Sequence, residues 1–276
     1  MAPAEITIVI RATEGENLDL LIASILTSTI NQDVLEVLVV ARGEPWISSD
    51  HRKRVQVILS NAKRIEAKLV GARLAAAKKI LYLDSDQLLG PGLLGEIQGR
   101  SEEMLIIPER SAHRGVMGSL LDAKREYIET KMRSKPSERY PVIPRAFARN
   151  LLLRAFDAMP DIVIREVTET EDSLIFHECL KLSSDVGWCT SHLLDQDPGM
   201  LDFVRKSFRY GFRNERAVLL GQLPPDYVEL IRRIQIESAV GLGLPSIGAA
   251  ASSVLRGVPY MAGAVFAKLR CGVRSQ

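Results

Sequence analysis

Two pairs of carboxylates are the residues whose type and spacing best suit chemistry. Asp84 and Asp86 follow an apolar run with one residue between them, and Glu171 and Asp172 are adjacent. Two carboxylates directly after a strand can bind one hard divalent cation, Mg²⁺ or Mn²⁺, that keeps a diphosphate as a further ligand. A carboxylate of the second pair can act as a general base. The simpler alternatives are a surface turn for the first pair and, for the second, acidic residues favoured by a helix dipole.

The elements around the first pair predict an α/β fold. The segment before Asp84 is a short apolar run bounded by polar residues, as in a buried strand of a parallel sheet. Ligands of such sheets bind outside the carboxyl ends of the strands, so Asp84 and Asp86 are predicted to lie at a ligand-binding edge. The predicted strands are 6–10, 34–40, 55–59 and 80–83, and the predicted helices are 18–26 and 62–79.

The second half of the chain continues the α/β pattern. Met104–Pro108 and Ile162–Ile164 are predicted as strands because both are rich in β-branched and apolar residues. Glu171 and Asp172 open a helix that is predicted to continue to Lys181. We expect one large domain over residues 1–215, in two halves at 1–100 and 101–215, and the strand and helix pattern of the first half is typical of nucleotide binding.

Composition and charge exclude several classes of protein. Hydrophobic residues make up 46% and charged residues 25% of the 276, which is ordinary for a folded protein. The net charge of +2 is too small to indicate a nucleic-acid partner. The 3 cysteines have no Cys-x-x-Cys spacing, so they indicate neither a disulfide framework nor a zinc site. No signal peptide is visible, and we expect a cytoplasmic protein.

Residues 216–276 are predicted to form a helical appendage that is both basic and apolar. From Ser238 to Ala267 the one charged residue is Arg256, and Pro245 and Pro259 interrupt the segment. A bilayer-spanning helix needs about 20 mainly apolar residues, which this segment does not provide. It therefore favours two shorter helices lying on the inner face of the cell membrane, with basic side chains toward lipid phosphates. A soluble helical pair packed on the core is the alternative.

Several short segments follow one another in an order that matches a known family. They are Ile8–Leu18 (strand and turn, like "V-I-P-T-Y-N-E-x-x-N-L"), Leu21–Thr29 (like "L-x-S-I-L-x-Q-T"), Gly71–Arg73 (like "A-R-N"), Leu83–Asp86 ("D-x-D"), Pro91–Leu94 ("P-x-x-L"), Glu171–Asp172 ("E-D") and Phe208–Gly211 (like "R-Y-G"). Over residues 5–215 the chain resembles the GT-A fold glycosyltransferases of family two, which include dolichyl-phosphate and polysaccharide sugar transferases. No single segment is specific, but their order makes an accidental match improbable.

The resemblance implies a fold, an activity and a catalytic domain at 1–215, with a nucleotide-binding half at 1–100 and an acceptor half at 101–215. The fold is an α/β GT-A fold, a Rossmann-like mixed sheet flanked by helices, followed here by the helical appendage. The activity is metal-dependent transfer, with inversion, of a sugar from a nucleotide-diphosphate donor to a hydroxyl or phosphate of a lipid-linked or glycan acceptor. The implied catalytic residues are Asp172, as general base, and Glu171; the implied metal ligands are Asp84 and Asp86; and the implied donor-binding residues are Thr13, Glu16, Arg42, Arg73, Asp84 and Arg209.

Two departures from the family pattern concern the nucleotide. The family's first turn begins Pro-Thr, whereas Arg11-Ala12-Thr13 stands here. After its second strand the family has Asp-Asp-Gly-Ser, whose first Asp contacts the base, whereas Ala41-Arg42-Gly43-Glu44 stands here. Arg42 or Glu44 would have to replace that contact, or the base would be held less specifically.

Two other functions fit parts of the same pattern. A sugar nucleotidyltransferase can share a similar nucleotide-binding half, but it needs a Gly-rich basic loop of which Arg11–Gly15 is a faint version, and it gives Glu171-Asp172 no role. A catalytically degenerate GT-A domain acting as a membrane-tethered partner protein is favoured by the missing base-contacting Asp. The two intact carboxylate pairs argue against degeneracy, because neighbouring carboxylates repel each other and cost stability.

Overall fold

The computed structural model describes residues 4–28, 35–112, 115–133, 143–196, 199–219, 221, 223–240 and 247–272. The chain is built from two compact units, and both are discontinuous in sequence. The first unit comprises Met1–Arg110, Ile143–Met159 and Ile175–Gln196, and the second comprises Ser111–Val142, Pro160–Leu174 and Asp197–Gln276. The domain boundary predicted at residue 215 falls inside a helix, and that division of function stays a prediction.

The strands within the described residues form two sheets. They are β1 (Ile6–Thr13), β2 (Leu35–Arg42), β3 (Gln56–Leu59), β4 (Lys79–Asp84), β5 (Gln87–Leu89), β6 (Met104–Ile106), β7 (Glu109–Ser111), β8 (Pro144–Ala148), β9 (Val186–Trp188) and β10 (Leu193–Asp195). The larger sheet has seven strands in the order β3-β2-β1-β4-β8-β6-β9, and the smaller has three in the order β5-β10-β7. The pairs β3–β2, β2–β1, β1–β4 and β6–β9 are parallel, whereas β8 is antiparallel to both β4 and β6. This mixed sheet confirms the predicted fold class.

The helices surround these strands and extend into the second unit. They are α1 (Asp19–Leu26), α2 (Ser49–Arg52), α3 (Arg64–Leu74), α4 (Leu93–Gly99), α5 (Val116–Arg133), α6 (Arg149–Ala158), α7 (Asp161–Glu166), α8 (Glu171–Leu182), α9 (Met200–Leu219), α10 (Pro225–Val240) and α11 (Ile247–Gly272). One prediction was wrong, because Ile162–Ile164 lies in α7 and not in a strand. Pro160 is the N-cap of that helix and its carbonyl accepts the Val163 N–H, so a proline starts a helical turn that the β-branched run concealed.

The core of the first unit explains why the central strands are almost wholly apolar. Ile6, Ile8 and Ile10 of β1 are at most 1% exposed. Because side chains alternate between the two faces of a strand, a strand covered on both faces needs apolar residues at successive positions. Helix α1 covers one face through Leu21, Ile22 and Ile25, all fully buried. Helix α1 thus buries one face of the sheet that carries the candidate site.

In the second unit, α9 and α11 approach each other through glycines. A Cβ atom at Gly211 would lie 1.8 Å from the carbonyl oxygen of Tyr260, and one at Gly263 would lie 2.0 Å from that of Phe208. Nearby, the buried Asn214 side chain donates a hydrogen bond to the Tyr260 hydroxyl at 2.8 Å. Only residues without a side chain allow two helix backbones to pack this closely, so α9 and α11 form a tight pair.

The prediction that Pro259 interrupts the tail was wrong. Helix α11 continues through Pro259 for 26 residues. A proline inside a helix costs about 3 kcal/mol because it removes one hydrogen bond and crowds the preceding turn. The close packing on α9 offsets that cost. Pro245, the other predicted break, lies outside the described residues, and no helix in the described part of the chain is both long and apolar enough to cross a bilayer.

Candidate active site

The carboxyl ends of β1, β2 and β4 bring three of the predicted site residues to one edge of the large sheet. Thr13, the last residue of β1, lies opposite Arg42, the last residue of β2. Arg11 lies opposite Asp84, the last residue of β4. Because these strands are parallel and adjacent, Thr13, Arg42 and Asp84 share the edge at which open α/β sheets bind their ligands.

Two loops at this edge are held against each other by their backbones. The Gly15 N–H donates to the Glu44 carbonyl at 3.1 Å, and the Trp46 N–H donates to the Glu16 carbonyl at 2.9 Å. The Glu16 carboxylate accepts a hydrogen bond from the Thr13 N–H at 2.9 Å. Glu16 thus shapes the turn after β1 from within, and its contact with a donor stays a prediction.

Asp84 belongs to a network centred on Arg145, which comes from the antiparallel neighbour strand β8. Arg145 Nη1 donates to Asp84 Oδ2 at 3.2 Å, and its Nη2 donates to Glu109 Oε1 at 2.8 Å. Gln87 closes the network: its Nε2 donates to Glu109 Oε1 at 3.0 Å, and its Oε1 accepts the Asp84 N–H at 3.1 Å. The Arg145 side chain is 9% exposed and the carboxylates 27%, so these bonds fix Asp84 in a largely buried place.

Four cationic side chains act on the Asp84 carboxylate. Burial alone would raise the pKa of Asp84, but Arg145, Lys68, Arg11 and Arg64 together outweigh it and hold the pKa well below the usual range. Asp84 is therefore ionised at every physiological pH. Four cations face the carboxylates of Asp84, Asp86 and Glu109, and this excess of positive charge gives this edge of the sheet an affinity for additional anions.

A pH titration of stability tests this network. Because the folded-state pKa of Asp84 lies below the ordinary value of 3.8, ionised Asp84 stabilises the fold above that value, and this contribution is lost as pH falls through the folded pKa. We expect the free energy of unfolding in urea to fall more steeply for the wild type than for Asp84→Asn between about pH 5 and about pH 2. Parallel curves for the two proteins would contradict the assignment.

Asp86 lies in the two-residue turn that joins β4 to β5 and is half-buried. Its carbonyl accepts the Gln196 N–H at 2.8 Å, which ties the turn to the end of the smaller sheet. The turn places Asp86 two residues after Asp84 and beyond the last strand position, as the sequence predicted.

Helix α3 carries a lysine that the sequence did not single out. Lys68 is 3% exposed, its Nζ lies 5.2 Å from the centre of the Tyr82 ring, and its charge lowers the pKa of Asp84. Arg73, the predicted donor-binding residue, is exposed in the last turn of the same helix, about 8 Å further along its axis. The backbone just beyond it bonds to Glu36 and Thr7, near the starts of β2 and β1. The structure thus places Arg73 toward the amino end of the strands and Lys68 near Asp84.

The other predicted residues, Glu171, Asp172 and Arg209, lie in the second unit. Glu171 is 4% exposed and Asp172 is half-buried, and both occupy the first turn of α8. Just before this turn, the fully buried Glu169 carboxylate accepts a bond from Arg213 Nη1 at 2.5 Å. Arg209 is exposed on α9, one turn before Arg213. In this acidic turn Glu171 is thus buried and Asp172 half-buried, and a separate ion pair between Glu169 and Arg213 lies just before it.

Comparisons with solved structures identify the fold. The mannosyltransferase PcManGT from Pyrobaculum calidifontis, solved with GDP-Man and Mn²⁺, is 14% identical with a TM-score of 0.54, over 97% of this chain and 89% of that one. S. aureus TarS 1-349, solved with UDP, is 14% identical with a TM-score of 0.52, over 97% and 92%. The chain has the GT-A fold. It spans 43% of the longer S. aureus TarS structure, with 15% identity and a TM-score of 0.53. No protein-family model and no curated protein matches the sequence.

The metal ligands expected in this GT-A fold are Asp84 and Asp86. One Asp84 oxygen is bonded to Arg145, so the donors at the edge are the second Asp84 oxygen and the Asp86 carboxylate. Across the described ranges, no group of three or more His, Cys, Asp and Glu side chains is placed to hold a metal ion. Two hard oxygen donors fit Mg²⁺ or Mn²⁺ when phosphate oxygens and waters complete the coordination. The residues therefore suit a cation that arrives together with its nucleotide.

Two of the residues near Asp84 that the sequence analysis did not select, Arg145 and Lys68, stand out weakly in the sequence. Arg145 is the one charged residue in the apolar run 144–148, and a lone charge in a buried strand indicates a buried partner. Lys68 lies three residues after Ile65 and four before Ala72, on the buried face of α3, where a lysine is unexpected without a function. Glu109 and Gln87 give no comparable signal, because each is an ordinary polar residue in a short strand.

Proposed function

We propose that the chain is a glycosyltransferase that transfers a sugar from a nucleotide-diphosphate donor to an acceptor hydroxyl or phosphate. The observation that carries the proposal is an ionised Asp84 at the carboxyl edge of a GT-A sheet, surrounded by four cationic side chains. Such an edge suits a ligand that brings both negative charge and a divalent cation. A sugar nucleotide bound through its diphosphate meets both conditions.

The donor would be held by residues of the first unit. Arg11 has a buried Nε without a hydrogen-bond partner, and it lies opposite Asp84 in the register of β1 and β4. A phosphate oxygen would satisfy this donor, and Lys68 and Arg64 would add positive charge. Thr13 and Arg42, at the ends of β1 and β2, would face the nucleoside, and the turn shaped by Glu16 would bound it. A divalent cation held by Asp84 and Asp86 would neutralise the charge that develops on the leaving diphosphate.

The acceptor chemistry would belong to the second unit. Asp172 would remove the proton from the attacking acceptor hydroxyl, in a single displacement that inverts the anomeric carbon. Glu171, which is nearly buried beside it, would orient that carboxylate. Arg209, an exposed cation on α9, would contact a phosphate of the donor or of a lipid-linked or glycan acceptor, because a guanidinium can bind two oxygens at once.

Two matched substitutions in α3 test which residue contacts the donor. Lys68→Met is expected to weaken the binding of UDP or GDP at least about tenfold, since a charge-assisted hydrogen bond contributes about 1.5–3 kcal/mol. Arg73→Met removes a cation from the same helix, and we expect it to leave nucleotide binding within about twofold. Isothermal titration calorimetry measures both, and circular dichroism confirms the fold of each variant. Equal losses in the two variants would show that the proximity of Lys68 to Asp84 has no role in binding.

A transfer assay tests the activity itself. The chain is incubated with UDP- and GDP-sugars, Mn²⁺ and either a lipid extract or a glycan mixture, and the released nucleoside diphosphate is measured. We expect one donor to be consumed, and at a rate that rises with one class of acceptor. Nucleotide binding without any release under all of these conditions would contradict the proposed activity.

One observation favours a second candidate, a non-catalytic GT-A domain. The ion pair between Arg145 and Asp84 occupies an oxygen that a metal ligand would use. Such a domain would bind a nucleoside diphosphate through its cations without needing Mn²⁺. Calorimetry with and without EDTA separates the candidates, because donor binding by the proposed enzyme requires the cation.

A further inference from the structure

Helix α11 presents a continuous apolar stripe to solvent. Its members are spaced four, three, four and four residues apart, which places them on one side of a helix. Each of them is more than half exposed. The stripe consists of Val254, Val258, Met261, Val265 and Leu269.

The opposite side of α11 is the one that packs inside the second unit. Tyr260 and Ala267 are buried there, and Gly263 contacts the backbone of α9. The stripe is therefore not part of that packing. Monomeric soluble proteins rarely expose apolar patches of this extent without a function, because the exposed area costs free energy and favours association.

Aromatic residues of α9 and α11 widen the stripe. The ring of Phe266 lies 6.1 Å from the rings of both Phe208 and Phe212, measured between centroids. Phe208 and Phe266 are exposed. We call the stripe together with these three rings the α9–α11 face. Large apolar side chains of this kind are typical of helices that lie in a membrane interface.

Most of the exposed charges around this face are positive. Helix α11 adds the exposed Lys268 and Arg270 and contains no Asp or Glu; Lys268 Nζ lies 3.7 Å from the buried Glu215 carboxylate of α9. Helix α9 adds the exposed cations Arg205, Arg209 and Arg216 and one exposed acid, Asp202, which pairs with Arg205 at 3.2 Å. An apolar face with cations around it complements an anionic lipid surface, where each basic side chain adds to the attraction of the buried apolar area.

We propose that the α9–α11 face binds the surface of an anionic bilayer, with both helices in the plane of the membrane. No helix of the described segments can cross a bilayer, so the contact would be peripheral. A second copy of the chain is a poorer occupant, because a two-fold interface would bring each cluster of cations close to its own copy. The proposal goes beyond sugar transfer and does not depend on it.

Vesicle flotation of the full chain tests the proposal. The probes are vesicles of phosphatidylcholine alone and of phosphatidylcholine with phosphatidylserine. The wild type is expected to float with the anionic vesicles and to be released by high salt. Val258→Asp with Val265→Asp is expected to lower the bound fraction at least about tenfold, because burying one valine changes partitioning by about that factor. Leu20→Asp, at an equally exposed leucine of α1, is the control and is expected to float like the wild type.

Two further measurements complete the test. Arg216→Gln with Arg270→Gln is expected to reduce binding to anionic vesicles and to weaken its salt dependence. Sedimentation velocity shows whether the stripe variants change the oligomeric state. A wild type that stays unbound to both kinds of vesicle overturns the proposal, and so does one whose stripe variants convert a dimer to a monomer without affecting flotation. Calorimetric nucleotide binding is read separately, so a failure here leaves the proposed activity standing.

Discussion

Asp172→Asn is expected to lower the rate of sugar transfer by about 10²- to 10⁴-fold, the contribution of a general base. An asparagine side chain cannot accept the proton of the acceptor hydroxyl, although it has nearly the same shape. Apart from Arg209, the residues proposed to hold the donor belong to the first unit, whereas Asp172 belongs to the second. We therefore expect the dissociation constant of the nucleotide to stay within about twofold of the wild-type value. Single-turnover rates and calorimetry measure the two quantities.

The same substitution in a neighbouring helix provides the control. Asp161 is an exposed acidic residue in the first turn of α7, as Asp172 is a half-buried one in the first turn of α8. Removing either charge weakens the favourable interaction with a helix dipole by about 0.3–1 kcal/mol. Asp161→Asn should therefore match the stability effect and leave transfer intact. If Asp172→Asn turns over like the wild type, the base is another residue.

Arg145→Met is expected to destabilise the fold by about 3 kcal/mol, because breaking a buried ion pair leaves uncompensated charge. The substitution leaves the carboxylates of Asp84 and Glu109 facing each other without the guanidinium that bridges them. Both carboxylates are partly exposed, so we expect the lower end of the range for buried pairs. The measurement is the free energy of unfolding in urea at neutral pH.

Two further variants test whether the stability lost in Arg145→Met comes from the buried ion pairs: one in an exposed ion pair, and one double variant. Arg165 pairs with Asp161, with side chains that are 64% and 82% exposed, so Arg165→Met should cost less than about 1 kcal/mol. Combining Arg145→Met with Asp84→Asn should restore part of the lost stability, because the second substitution removes one of the two carboxylate charges that have lost their pairing with Arg145. Equal costs for Arg145→Met and Arg165→Met would show that the network contributes little.

The sequence was sufficient to predict the parallel half of the sheet. Buried parallel strands are apolar at nearly every position, so β1, β2 and β4 stand out as runs of Ile, Leu and Val. The same runs predicted that Asp84 lies at the carboxyl edge of the sheet, where ligands of such sheets bind. The resemblance to GT-A glycosyltransferases added the expected fold, which the structure confirms.

The rest depended on contacts between residues that are distant in sequence. Arg145 reaches Asp84 across 61 residues, through an antiparallel pairing of β8 with β4 that no local pattern encodes. Lys68 lies near Asp84 and Arg73 lies further along α3, a difference in position that motif matching did not reveal; the donor-binding role of Arg73 stays a prediction. Pro259 continues a helix because α9 packs against it, a tertiary effect that overrides the local preference.

Calorimetric titration with sugar nucleotides directly tests the proposed metal–diphosphate site at the end of β4. The full chain is titrated with UDP-GlcNAc and with GDP-mannose, in Mn²⁺ or in EDTA, alongside Asp86→Ala. We expect one donor to bind in Mn²⁺ with a dissociation constant between about 1 μM and about 1 mM, and we expect binding to be lost in EDTA and in Asp86→Ala. Absence of binding by either donor, or binding that neither EDTA nor Asp86→Ala changes, would contradict a metal–diphosphate site at the end of β4.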